Sequence, residues 1–200
     1  MPLVDLPEFP GPAQSQPYLI DFGSVRVPPL GGAVQRINRT GARYAIELTL
    51  PAMAPADARR WSAALTLGLR DGVRWRLRQV GLTIPPMGTV LVAGGSQLGL
   101  ALDVDGGTAF APWVAGQFVS VLTGGQRYLH QLASAGAFAS GGTAELPLAE
   151  PLRVSPADNA PVEFVPQIEG LIEGEGGLPL AQITASRLAS PMTIRITERG

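Results

Sequence analysis

The stretch RTGARYAIELTLPAMAPADARRW, Arg39 to Trp61, carries two periodicities back to back. In its first part Tyr44, Ile46, Leu48 and Leu50 fall on one face of a period-two pattern. Arg43, Ala45, Glu47 and Thr49 fall on the other, which predicts a strand. Pro51 ends it, because proline cannot donate to a ladder. Pro55 then stands where a first helical position would be, with its φ already suited to a helix. Asp57 lies in the first turn, where the macrodipole favours an acid. Ala58, Trp61, Leu65 and Leu69 follow at spacings of three and four, one apolar stripe. The pattern predicts one helix over about 54–70, ending within Gly68 to Gly72. VRWRLRQV (Val73–Val80) returns to alternation, with Val73, Trp75 and Leu77 facing one way and Arg74, Arg76 and Arg78 the other. The unit is strand, helix, strand. Its helix is expected to close one end or face of a β-sandwich, burying Trp61 with Trp75.

Upstream, YLIDFGSVRVPPLGG (Tyr18–Gly32) predicts one or two short strands stopped by Pro28-Pro29 and Gly31-Gly32. Residues 1–17 are rich in proline and read as an extended arm, either frayed or packed on a neighbouring subunit. The start, MPLVDLPEFPGP, has neither a basic n-region nor an apolar h-region, so no signal peptide is expected.

Downstream of PPMG (Pro85–Gly88) charge becomes sparse and glycine, alanine, serine and threonine dominate. GTVLVAGG, LGLALDVDGG, GQFVSVLTGG, RYLHQLASAG and GTAELPLAEPL recur as short apolar runs ended by glycine or proline. That is the spacing of successive hairpins in a small barrel or sandwich. The tail reads as a Gly-rich linker, Gly170 to Gly177, followed by a strand in which Met192, Ile194 and Ile196 alternate with Thr193, Arg195 and Thr197. If that strand returns to the first sheet, residues 1–85 and 166–200 form one β-sandwich domain, and 86–165 are a second small β module inserted into it. The expected class is therefore mainly β with one helix. The 25 glycines and 19 prolines in 200 residues suit many turns between short strands.

Composition narrows function by exclusion. Net charge is −1, which gives no long-range field for nucleic acid or an anionic membrane. The longest uncharged run, Gln79 to Leu102, is broken by PP and GG and does not read as a membrane span. The chain has no cysteine, so disulfides, thiolate zinc sites, iron–sulfur clusters and a cysteine nucleophile are excluded. It also has no lysine, which removes a Walker-type phosphate loop from VAGGSQLG. All 15 basic residues are arginine, a pattern open to two readings, a GC-rich genome or an interface chemistry. The Arg74, Arg76 and Arg78 row suggests salt bridges between subunits better than nucleic-acid binding, since no aromatics interleave with it.

Candidate chemistry is thin. His130, the single histidine, could belong to a Ser-His-Asp arrangement, yet no serine sits in a Gly-x-Ser-x-Gly elbow. Asp103 and Asp105 lie in LDVDGG without the further oxygens a calcium loop requires. Glu169, Glu173 and Glu175 could in principle supply paired carboxylates, but they read as a solvated linker. No catalytic, cofactor-binding or metal-binding residue is expected, and no cofactor. A carbohydrate-binding surface would want exposed aromatics, for which Trp113 and Tyr128 are the candidates.

The order of several short words resembles one family. GAVQRINRTGARYAIELTLPAMAPADARRWSAALTLGLRDGVRWRL, then VAGQFVSV, RYLHQL and EPLRVSPADNAPVEF, resemble tail proteins of long-tailed bacteriophages, most of all their distal tail proteins. The resemblance covers about Gly32 to Phe164. It implies a virion structural protein without catalytic residues. Such a protein forms a hexameric ring between the tail tube and the baseplate hub, and DNA passes through the ring's channel without specific binding. A ring needs heterologous, closing contacts between identical subunits. The strands Ala42–Leu50 and Met192–Thr197 are expected at sheet edges, where they could continue a sheet into the next subunit. The alternative is a peripheral baseplate module that contacts carbohydrate. A small hydrolase built on His130 is a third reading.

Overall fold

The structure, a computed structural model, describes residues 3–37, 39, 41–173, 177 and 188–199. The chain is mainly β, with a single helix among the described residues. The first half runs β1 (Val4–Asp5), β2 (Gln14–Ile20), β3 (Ser24–Arg26), β4 (Gln35–Ile37), β5 (Arg43–Leu50), α1 (Pro55–Asp71) and β6 (Val73–Arg76). Next come β7 (Gly88–Val92), β8 (Ala101–Gly107), β9 (Pro112–Trp113), β10 (Phe118–Thr123) and β11 (Gln126–Gln131). The order ends with β12 (Gly136–Ala137), β13 (Ala144–Pro147), β14 (Val162–Glu163), β15 (Gln167–Glu173) and β16 (Met192–Glu198).

A six-stranded sheet, ordered β1-β6-β15-β16-β5-β2, carries the first core. The alternation in Arg39–Trp61 dictates its register. Met192, Ile194 and Ile196 lie opposite Leu50, Leu48 and Ile46, so one face is continuously apolar. Arg195 lies opposite Glu47 and Thr193 opposite Thr49, so the other face is polar. Helix α1 packs on the apolar face. Trp61 is fully buried with its ring centroid 6.0 Å from that of Trp75. The apolar stripe, however, leaves Leu69 exposed and continues through Gly68. A Cβ at position 68 would come within 2.2 Å of a Val73 methyl, so a bare backbone is what allows helix and sheet to meet. Gly72 stops the helix with φ +84°.

Three expectations are corrected here. The strands β5 and β16 are not edges: each has a hydrogen-bonded neighbour on both sides, and the outer strands are β1 and β2. The proline-rich arm, from residue 3 on, is not loose but packs on the chain's own body. Val4 and Asp5 pair with β6, Leu6 is buried, Pro10 accepts a bond from Trp61 Nε1, and β2 zips onto β5. Pro17 is tolerated because β2 lies at the sheet edge. Finally, Gly170 to Glu173 are not linker but the end of β15, paired with β16. At Gly170 a Cβ would fall 2.2 Å from the Thr197 carbonyl oxygen, so this glycine serves close strand approach rather than flexibility.

A second hydrophobic cluster is built from residues between Met87 and Phe164. Three small sheets surround it, β13-β8-β7, β11-β10-β14 and β12-β9. The β10–β11 hairpin turns on Gly124-Gly125, both at positive φ, the two-residue turn that matches strand twist. The hairpin also reaches the first core, where Leu129 is buried and Phe118 meets Tyr44 edge-on at 5.4 Å. The two cores therefore share a seam, at the end of the large sheet where β5 begins and β16 finishes.

Candidate functional site

The chemistry-bearing side chains converge on that seam. On one side Arg127 donates Nε and one terminal nitrogen to Glu163, both at 2.8 Å, in a bidentate fork. Its other terminal nitrogen donates to Glu169 Oε1 at 2.8 Å, and its backbone N–H to Oε2 at 3.0 Å. Arg74 adds a bond to the same Glu169 oxygen at 2.8 Å. Burial alone would raise the Glu169 carboxyl, but the bonds from Arg127 and Arg74 outweigh it and hold the group below its ordinary value. The fork to Glu163 pushes Arg127 up, so its charge is fixed.

Beyond this cluster lies a second. Glu150 accepts from Tyr44 Oη at 2.6 Å and faces His130 Nδ1 at 3.0 Å. Glu198 accepts from the backbone N–H groups of Leu129 and Tyr44 and from Arg153. Arg153 also lies over the Tyr128 ring, 5.0 Å from its centroid. Burial pushes Glu198 up despite Arg153 and the two backbone donors. Burial and the neighbouring Glu150 likewise push the Tyr44 phenol up, keeping it a proton donor to Glu150. These groups come from β5, β6, β11, β14, β15, β16 and the segment between β13 and β14, so the pairs tie the two cores together across the seam.

Set against the expectations, His130 is buried in this network, and among the described residues no serine hydroxyl bonds to it. Glu169 is 1% exposed and ion-paired, not part of a solvated linker, because β15 carries it into the seam. Glu173 lies at the far end of β15, against Arg195 at 3.1 Å, and Glu175 lies outside the described residues. Glu169 is ion-paired to Arg74 and Arg127 and Glu173 to Arg195, so these two do not form a pair of working carboxylates. Asp103 and Asp105 stand on β8, and among the described residues no three acidic or histidine side chains converge as a metal site. Trp113 is a core residue, stacked edge-on against Phe138 at 5.4 Å, with Nε1 donating to the Ser134 carbonyl. Trp113 is 5% exposed, and Arg153 lies over one face of the half-buried Tyr128 ring. Of the arginine row, Arg74 pairs within the chain with Glu169 and Asp5, and Arg78 lies over Phe9. Arg76 is exposed and lines a 990 Å³ cleft between the two cores, with Trp75, Met87 and Phe164.

What remains open lies on the outside. Among the described residues β2 pairs on one side only and presents its other edge outward. Straight after it, β3 and β4 form a separate two-stranded ribbon whose Val25, Val27, Leu30 and Val34 are exposed. Sequence reasoning missed this surface. Its signal was present: valines flank a Pro-Pro and Gly-Gly turn with no apolar partner strand nearby. No helix among the described residues is long and apolar enough to cross a membrane. No family model matches the chain, and no curated protein matches it.

Proposed function

We propose that this protein is a structural component of a bacteriophage tail, a distal tail protein whose copies form a hexameric ring. The ring joins the tail tube above to the baseplate hub below and leaves a channel through which DNA passes without specific binding. On this reading it is not an enzyme and resides in the virion, at the tail tip. The observation that carries it is where the polar chemistry goes. The charges of the seam are spent on one another, tying the two cores together, while the surfaces left open among the described residues include a strand edge and an apolar ribbon. Those are means of binding protein, by backbone pairing and by apolar burial. The ordered words of the sequence supply the family, and the near-neutral charge suits a conduit that DNA must not grip. Native mass spectrometry of the purified chain tests it. A dominant hexamer is expected, and a monomer persisting at every accessible concentration would count against it.

A further inference from the structure

Two groups of charges meet in the seam, and they differ in balance. In the first, Arg127 and Arg74 face Glu163 and Glu169, two cations against two anions. In the second, Arg153 is the one arginine, while Glu150 and Glu198 are both acids. Arg153 donates one terminal nitrogen to Glu198, and its other terminal nitrogen is buried with no hydrogen-bond partner among the described residues. Glu150 is bonded to Tyr44 Oη at 2.6 Å and to His130 Nδ1 at 3.0 Å. Glu150 is 5% exposed, Glu198 1% and His130 2%, so water screens none of these groups.

A surplus negative charge at such a site is costly, and burial favours binding a proton there instead. Tyr44 adds no charge, because burial and Glu150 keep its phenol protonated. The groups left to take the proton are the His130 imidazole and the two carboxylates. Burial raises the Glu198 carboxyl, the direction a proton-binding site requires. Groups this close titrate together, and the proton belongs to the network as a whole. The network draws Tyr44 from β5, His130 and Tyr128 from β11, Glu150 and Arg153 from the segment after β13, and Glu198 from β16. Arg127, farther along β11, leads to the first group, which is already balanced.

We infer that this second network is a proton-dependent latch: with one proton bound it is neutral and ties segment 148–153 and the β10–β11 hairpin to the large sheet, and as the proton leaves the seam loosens. In the unfolded chain the same imidazole and carboxylates hold no proton above the ordinary imidazole value of about 6.5. Folding therefore takes up about one proton in that range, and stability falls as pH rises. Below that value the unfolded chain binds the proton as well, and the contribution of the latch is level. This inference stands apart from the ring reading above.

The composition suits the measurement. With no cysteine, no lysine and one histidine, little besides this network and a terminal amine changes charge from about pH 7 to 9. Denaturant melts of the parent chain across that range should show the folding equilibrium constant falling about tenfold per pH unit, the signature of one proton. Glu150→Gln leaves one carboxylate against Arg153, a pair that is neutral without the proton, so its curve should be flat. A parent as flat as the variant, or a variant as steep as the parent, would overturn the latch. Hydrogen exchange of the parent tests the same point without a substitution. The Tyr44 and Leu129 amides, both bonded to Glu198, should open about tenfold more often per pH unit once the intrinsic pH dependence of exchange is removed. Opening of these two amides that is indifferent to pH would overturn the latch as well.

Discussion

Trp61 joins three parts of the chain that are distant in sequence. Its ring packs on Trp75 of β6, and its Nε1 holds the Pro10 carbonyl, pinning the N-terminal segment over the helix. Trp61→Ala should destabilise the protein by about 3–5 kcal/mol through lost burial and the cavity left behind. A thermal melt reads this, and an unshifted transition would place the residue outside the core. Glu169 acts at the same scale but through charge. Its folded-state carboxyl is held below the ordinary value of 4.5. Its stabilisation is therefore complete above that value and lost as pH falls through the lowered one. Glu169→Gln should cost about 3 kcal/mol near neutral pH, since Arg127 and Arg74 each lose one of their two anions at a buried site. The acid side of its stability–pH curve should also flatten, which melts between neutral and strongly acidic pH would measure. The seam was only faintly legible in the sequence. Arg127, Glu150, Arg153 and Glu163 stand as isolated charges in an otherwise charge-poor stretch, and isolated charges there must be paired if buried. Which pairs with which depends on long-range placement that no spacing rule supplies.

At the scale of elements, periodicity announced what is local. Helix α1 begins at Pro55 and ends at Asp71, where proline, the apolar stripe and Gly72 put its limits. The faces of β5, β6 and β16 follow their alternation. Strand neighbours were not legible, because β5 pairs with β16 from the other end of the chain, and alternation says which face is buried, not who lies alongside. That is why two interior strands were expected at edges, and why a proline-rich segment that forms the true edge looked like a loose arm. Gly68 shows the same limit, since only the packed structure explains a glycine in the helix interior. Gly68→Ala would gain about 1 kcal/mol of helix propensity in an exposed helix. Here the new methyl meets Val73 at 2.2 Å, so the helix must lift off the sheet. The variant should melt below the parent, by calorimetry; a higher melting temperature would mean that the helix can shift without loss.

For the whole molecule, an ion-paired seam ties two cores together, and an apolar ribbon and a strand edge face outward. Rigidity matters in a ring, because any slack between the cores would accumulate over successive heterologous contacts and prevent closure. The near-neutral charge, the outward edge of β2 and the apolar ribbon all suit the proposed tail ring, completed by copies of the chain and by its neighbours. The decisive measurement is single-particle electron microscopy of the purified chain, with class averages scored for rotational symmetry. The account predicts six-fold rings around a central opening. Particles no larger than one chain, at every concentration imaged, would contradict it.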